Sequence, residues 1–250
     1  LSMLQNFESL VLIWLGIGFI TFITLLKIPA PYGKFSKTNW GPMIPSKLGW
    51  IVMEIISPLA LLYFFLNGNI EKTPTNITFI SLWTLHYFNR SVIYPLRQNN
   101  PAQMPLLIAV LAFLFNVMNG YINGTYFGSI QEYSAEYMSN WNFIVGVCLF
   151  IIGAYINIKS DNILLSLRSK SGEYKIPEGF MFRYVSFPNY LGEILEWMAF
   201  AIMTWSLAGL SFMIWTMANL VPRAIKGHQW YHNKFESYPK NRKAIFPFII

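Results

Sequence analysis

Leu10-Val11-Leu12-Ile13-Trp14-Leu15-Gly16-Ile17-Gly18-Phe19-Ile20-Thr21-Phe22-Ile23-Thr24-Leu25-Leu26 is a run of seventeen residues without a charge. A helix needs about 20 apolar residues to cross the hydrocarbon core of a bilayer, within a range of roughly 17–25. The run therefore reads as a membrane span. No basic segment precedes it and no small-residue cleavage site follows it, so a retained span is expected rather than a signal peptide. Six further stretches read the same way, at about 47–66, 77–96, 104–122, 141–158, 190–205 and 207–225. Pro58 is expected to kink the second. The third is unusually polar. The last two are joined by a very short link and form an antiparallel pair. The fold class that follows is an all-α integral membrane protein, a seven-transmembrane-helix bundle.

Composition agrees. Hydrophobic residues make up 54% of the 250, aromatics 18% and charged residues 12%, about half the charge of a soluble domain. The mean hydropathy is +0.41. The length suits one domain over residues 1–250, with polar cap segments at about 159–188 and 226–250. The apolar end of the second cap, Phe246-Pro247-Phe248-Ile249-Ile250, is too short to span and is expected in the interface or packed on the bundle. Cys148, the one cysteine, excludes a disulfide within the chain and a thiolate metal cluster. A net charge of +7 points to topology rather than nucleic acid, because Lys and Arg collect in cytoplasmic loops. With seven alternating spans, seventeen of the eighteen basic residues fall on one side, and Lys72 stands alone on the other. The basic side is cytosolic, with the N-terminus outside and the C-terminus inside. The two glycosylation patterns, at Asn76 and Asn123, sit close to span ends and are not expected to matter.

The polar residues of the spans carry the chemistry. Tyr87, Arg90, Tyr94 and Arg97 share one helix face at offsets 0, 3, 7 and 10. An Arg inside a span costs roughly 2.5–3.5 kcal/mol on insertion scales and faces a partner or a watery cavity. An Arg–carboxylate pair would explain Arg90 alone, but the whole stripe favours a site. Glu54 is the lone carboxylate in the second span, and desolvation favours its protonated form. It is a candidate acid or hydrogen-bond donor, or else a packing partner for Arg90 or Tyr87. Asn157, Asp161 and Arg168 share a second face. Asn189, Glu193 and Glu196 open the sixth span. Arg223, His228, Tyr231 and His232 lie in the tail region. These groups fall near the basic side, which suggests a cavity open to a cytosolic cofactor. No dinucleotide fingerprint, Walker A sequence or nucleophile elbow is present. His228 and His232 have metal-compatible spacing, but nothing accompanies them, so no metal is expected.

Glu54, His86-Tyr87-Phe88-Asn89-Arg90 with Tyr94, Asn157-Ile158-Lys159-Ser160-Asp161, the block Asn189-Tyr190-Leu191-Gly192-Glu193-Ile194-Leu195-Glu196-Trp197 and the tail from Tyr238 to Phe248 together resemble the steroid 5α-reductases. The match runs in order from about Tyr32-Gly33-Lys34 onward. The resemblance implies a seven-helix enzyme that uses NADPH to reduce the Δ4 double bond of a 3-oxosteroid. It implies that Glu54 and Tyr87 bond the C3 carbonyl oxygen. It assigns NADPH to Asn157, Asp161, Arg168, Tyr174, Asn189, Glu193, Arg223, His228 and Tyr231, with Tyr32, Lys34, Arg90, Tyr94 and Arg97 contributing. Two departures stand out. The family often has consecutive histidines where this chain reads Lys226-Gly227-His228, and the loop Arg97–Gln103 differs in length.

Physical chemistry agrees with the implied reaction. Hydride reaches the β-carbon of an enone and negative charge moves to the carbonyl oxygen, where placed donors stabilise it. A steroid would enter from the bilayer and the cofactor from the cytosol. The protein is expected to act as a monomer among membrane lipids, in a bacterial inner membrane or the endoplasmic reticulum. The rival readings are another membrane enone or enoyl reductase, acting on a polyprenal or an enoyl thioester, a membrane methyltransferase using S-adenosylmethionine, and a lipid or sterol transporter.

Overall fold

The computed structural model describes residues 3–98, 102–167 and 173–250. It is predominantly helical, and helices lie over each of the seven apolar stretches. Among the described residues, four helical segments are long and apolar enough to cross a membrane: Met3–Lys27, Ser46–Leu66, Leu106–Ile130 and Trp141–Leu167. Large apolar side chains such as Leu12, Ile13, Phe19 and Ile20 are exposed on the first. A bilayer is the environment in which such surfaces are stable. The protein is an all-α integral membrane protein. The chain forms two compact units, Leu1–Val11 with Ala30–Ile144, and Leu12–Pro29 with Val145–Ile250.

In the first unit, helix α1 (Met3–Lys27) contributes its opening turns. Strand β1 (Met43–Pro45) leads into α2 (Ser46–Leu66), which is continuous through Pro58. Helix α3 (Pro74–Phe88) starts where its sequence dictates, with Thr73 as N-cap accepting from the Asn76 N–H at 3.3 Å and Pro74 in the first turn. A five-residue π-helical turn, Asn89–Ile93, follows, then the short α4 (Tyr94–Leu96). Strand β2 (Gln103–Pro105) pairs antiparallel with β1, Ile44 opposite Met104, and leads into α5 (Leu106–Thr125). Helix α5 lies parallel to α2. The contact steps four residues at a time through Gly120, Gly124 and Gly128, which meet Ala60, Leu61 and Phe64 and their backbone. A side-chain carbon on Gly120 would stand 2.9 Å from the Ser57 carbonyl oxygen. Small residues at this spacing let membrane helices approach closely.

In the second unit, α6 (Trp141–Leu167) packs antiparallel on α7 (Pro188–Thr204) through Gly146, Gly153 and Gly192. Trp205 in the left-handed region and the Ser206 N-cap form the tight link to α8 (Leu207–Lys234), as the short spacing required. Residues 12–27 of α1 belong here, and Trp215 donates to the Trp14 carbonyl at 3.1 Å. The first part of each cap segment is helical. Asn162–Leu167 is the last part of α6, and α8 continues nine residues beyond Ile225. The tail then folds back. Ser186 and Phe187 donate backbone bonds to Lys243 and Ala244, and Ile245 is fully buried. Phe248 and Ile249 are exposed.

Lys72 donates to the carbonyls of Gly68 and Ile70 at 2.8 and 2.7 Å, just beyond the end of α2. An ammonium there complements the helix C-terminus. Asn76 and Asn123 are fully buried, and their amides donate to the Glu71 and Asn119 carbonyls.

Candidate active site

The first unit holds Glu54, Tyr87, Arg90, Tyr94, Tyr32, Lys34 and Arg97. Tyr87, near the end of α3, is 4% exposed. Its ring stacks on Trp83 at a centroid distance of 5.6 Å, and the Trp83 indole N–H is anchored on the Ser57 hydroxyl at 3.1 Å. Its hydroxyl donates to Asn116 Oδ1 at 3.1 Å, and Asn116 Nδ2 donates in turn to the Met53 carbonyl at 2.6 Å. This chain ties α3, α5 and α2 together one residue from Glu54. Glu54 itself is half-buried on α2. Pro58 has no N–H to give the Glu54 carbonyl four residues earlier, so the helix ladder lacks one rung in the turn that carries the carboxylate.

Arg90 lies in the π-helical turn directly after Tyr87 and is 8% exposed. Its guanidinium carbon stands 5.4 Å from the Trp50 ring and 5.1 Å from the Tyr94 ring. Tyr32 meets Trp50 edge-on at 6.2 Å. A cation held among aromatic faces is stabilised by their quadrupoles once water is excluded. The expected stripe is only partly realised. Tyr87, Arg90 and Tyr94 are buried, but Arg97 is the exposed C-cap of α4. The π-helical turn winds in more residues than an α-turn, so offsets counted at 3.6 residues per turn no longer hold beyond it. Lys34 is half-buried in a 3₁₀ turn, its Nζ 5.9 Å from the Phe35 ring.

The second unit holds the other group. Asn157 Nδ2 donates to the Asn189 carbonyl at 2.9 Å, and Asn189 Nδ2 donates to Asp161 Oδ1 at 3.0 Å. The glycine crossing makes this reach possible. A Cβ on Gly192 would stand 2.5 Å from the Asn157 backbone nitrogen and 2.7 Å from the Gly153 carbonyl oxygen. All three polar residues are buried. Ser160 Oγ and Asn189 Oδ1, also buried, have no protein partner. Buried polar atoms are normally satisfied, so such orphans mark a place where a ligand or water completes the bonding. Glu193 is half-buried one turn further along α7. Arg223 donates from Nε to the Tyr190 hydroxyl at 3.0 Å.

Around the end of α8, His228 Nδ1 is 2.6 Å from the Ser186 hydroxyl, and Tyr238 donates to that hydroxyl at 2.7 Å. Arg242 donates to the Pro177 carbonyl at 3.1 Å and to the Tyr238 hydroxyl at 3.3 Å. Burial first, then His232, Arg242 and Lys243, bring the His228 imidazole down to about 4. It is therefore neutral near pH 7. Tyr231 stacks on Tyr238 at 5.1 Å, while Tyr174 is exposed and meets Trp230 edge-on at 5.0 Å. Arg168 lies outside the described residues. Among the described residues no group of three or more His, Cys, Asp or Glu is placed to hold a metal.

Sequence reasoning gave no role to Asn116, Trp50 and Ser186, and held Ser160 and Tyr238 only within the blocks that carry the family likeness. The polar signal at Asn116 was present, an amide in the fourth apolar stretch. Trp50 carried no signal separable from ordinary aromatic packing.

The family model described as 3-oxo-5-alpha-steroid 4-dehydrogenase matches residues 102–250. The chain is 43% identical to steroid 5-alpha-reductase DET2 of Solanum lycopersicum, over 97% of this chain and 96% of that protein. It is 37% identical to 3-oxo-5-alpha-steroid 4-dehydrogenase 1 of Rattus norvegicus, over 93% and 91%. With 3-oxo-5-alpha-steroid 4-dehydrogenase 1 of Homo sapiens it shares 34% identity over 94% and 92%. A match of this extent, on a helical membrane scaffold that buries Tyr87 and the Asn157–Asn189–Asp161 network, makes the chain a member of the steroid 5α-reductase family of membrane oxidoreductases.

Proposed function

We propose that this protein reduces the Δ4 double bond of 3-oxo-Δ4-steroids to the 5α-reduced 3-oxosteroids, with hydride from NADPH delivered to C5. The observation that carries the reading is the chain-long identity with steroid 5α-reductases of plants and mammals. Residues 1–250 serve as one reductase domain of seven spans, with the N-terminus outside, the C-terminus cytosolic and the endoplasmic reticulum as the membrane. The parallel course of α2 and α5 supports this threading, because the chain must return between them.

Tyr87 and Glu54 act at the C3 carbonyl oxygen. In this reading the Tyr87 O–H and the Glu54 carboxyl are the two donors to the atom on which negative charge develops. Each strengthens as the charge grows, which lowers the barrier rather than merely tightening binding. Tyr87 is buried, and a bond shielded from water is stronger than one in solvent.

The residues assigned to the cofactor suit a nicotinamide nucleotide. Asn157, Asp161 and Asn189 form a buried amide–carboxylate cluster in which Asn189 Oδ1 has no protein partner, with Ser160 Oγ a second such oxygen beside it in sequence, fitted to ribose hydroxyls or a carboxamide. Arg223, and Arg168 by the family likeness, supply cations for phosphates. Glu193, His228, Tyr231 and Tyr174 are assigned to the same ligand, as are Tyr32, Lys34, Arg90, Tyr94 and Arg97. NADPH, when bound, supplies the hydride, and these residues hold it.

The test is purified full-length protein with NADPH and progesterone, followed at 340 nm, with the product identified by chromatography. Steroid-dependent oxidation yielding the 5α-product is expected. Oxidation with a polyprenal but with no steroid would overturn the substrate assignment.

A further inference from the structure

We propose that Arg242, Tyr238 and Ser186 form a one-way hydrogen-bond relay that fixes His228 as the tautomer with its proton on Nε2, so that the ring offers a donor to an oxygen of the nicotinamide nucleotide. This rests on the reading of His228 as a cofactor residue. All four side chains belong to the second unit. The relay starts at Arg242, which is 5% exposed and whose guanidinium has donors but no acceptor. It gives a hydrogen to the Tyr238 hydroxyl oxygen at 3.3 Å. Tyr238 is buried and passes its own hydrogen to Ser186 Oγ at 2.7 Å. Ser186, also buried, then has one hydrogen and two acceptors in reach, His228 Nδ1 at 2.6 Å and the Lys243 carbonyl at 3.1 Å.

The lone pairs decide between them. The Lys243 carbonyl already accepts the Ser186 backbone N–H at 2.8 Å. If Nδ1 carried the proton, Ser186 would take hydrogens from both Tyr238 and His228 and give its own along the longer contact. With Nδ1 as acceptor, each hydroxyl takes one hydrogen and passes one on, and bonds aligned in this way strengthen one another. The state of one imidazole nitrogen is set by the bond that the other makes. A neutral ring whose Nδ1 accepts carries its proton on Nε2. Ser186, Tyr238 and Arg242 are therefore positioning residues. Without them both neutral tautomers are accessible, and Nε2 is a donor in only a fraction of the molecules.

The experiment uses full-length protein in detergent, labelled with ¹⁵N at histidine, near pH 7. Two-bond proton–nitrogen spectra without nucleotide read the tautomer, and the His228 signals are identified by their loss in His228→Leu. Wild type is expected to show the Nε2–H form alone. Ser186→Ala should show a mixture of both forms, with NADPH affinity down about threefold because fewer rings are competent. His228→Leu, which deletes the donor, should lose about tenfold, on the scale of one hydrogen bond. Tyr238→Phe keeps the ring that stacks on Tyr231 and guards against a misfolded Ser186→Ala; its spectrum should shift the same way. An Nδ1–H ring in wild type, or an unchanged tautomer in both relay variants, overturns the proposal. So does a shifted tautomer with unchanged NADPH affinity. A wild-type protein that shows the Nε2–H form but binds no NADPH overturns the cofactor reading instead, and the nucleotide-free spectrum tells the two failures apart.

Discussion

Gly192→Ala tests whether the α6–α7 crossing positions the Asn157–Asn189–Asp161 network. The added Cβ would stand 2.5 Å from the Asn157 nitrogen and 2.7 Å from the Gly153 carbonyl oxygen, against 3.4 Å for ordinary contact. The obstacles are backbone atoms and cannot rotate away, so the helices must part by about 3.4 − 2.5 = 0.9 Å. Applied to the Asn157–Asn189 bond of 2.9 Å, that separation gives about 3.8 Å, beyond a hydrogen bond. Overpacking costs about 1–3 kcal/mol, and a buried amide left without its partner costs about 1–3 kcal/mol more. A destabilisation of about 2–6 kcal/mol follows, or a fall in Tm of roughly 4–24 °C for a chain of this size. NADPH affinity should drop about tenfold, the equivalent of 1.4 kcal/mol. The assays are thermal unfolding and nucleotide-fluorescence titration in detergent. Gly16→Ala is the control, since a Cβ there meets nothing within 4 Å. A Gly192→Ala protein with wild-type Tm and wild-type NADPH affinity would refute the reasoning, because the crossing would then have slack that its geometry denies.

Tyr87→Phe and Glu54→Gln should each lower kcat by about 10²-fold, the scale of one lost donor at a developing oxyanion, with NADPH affinity changed less than about threefold; steady-state kinetics and titration decide this. The folded pKa of His228 lies below the ordinary value of 6.5, at about 4. The folded state therefore binds fewer protons in that window, and docking of the tail is fully present above about pH 6.5 and weakens as pH falls toward 4. Hydrogen exchange at Tyr238–Ile245 should accelerate over that range in the wild type and lose this dependence in His228→Asn. Expressed in a eukaryotic cell, the protein should show no glycosidase-sensitive shift on a gel, because Asn76 and Asn123 are buried. In a Cys148→Ser background, a cysteine at Lys72 should react with an impermeant maleimide from outside the cell and one at Lys240 only after permeabilisation; the reverse pattern inverts the proposed topology.

Membrane character and helix positions were legible because they follow from hydropathy summed over some twenty residues, a signal that single substitutions do not disturb. Span-like apolarity sits in α1, α2, α5 and α6. Local caps were also legible in kind, as at Thr73-Pro74. Helix ends inside polar sequence were not. The last residues of α6 and the final turns of α8 are too polar to continue a hydropathy pattern, yet helical hydrogen bonding carries on through them. Their backbone bonds are as satisfied in a protruding helix as in a spanning one. The glycine contacts were in plain view as Gly120-x₃-Gly124-x₃-Gly128, but a small residue shows only where another backbone can approach, not which one.

The candidate site divides along a similar line. Residues found by periodicity hold where the helix is regular: Asn157 and Asp161 share a face because α6 is unbroken between them. Arg97 departs from its stripe because a π-helical turn intervenes, and nothing in Asn89-Arg90-Ser91-Val92-Ile93 announces one. Trp50 and Asn116 escaped for a different reason. Each acts through a partner distant in sequence, Trp50 on Arg90 and Asn116 on Tyr87, and one sequence carries no record of such pairs. The energetics point the same way. A buried guanidinium or phenol is tolerable only where other side chains satisfy it. A polar residue legible within a span therefore implies at least one companion elsewhere that is not. Arg90 calls for the aromatic walls of Trp50 and Tyr94, and Tyr87 for the amide of Asn116. Substituting the companions should therefore lower stability, as substituting the residues the sequence made conspicuous does.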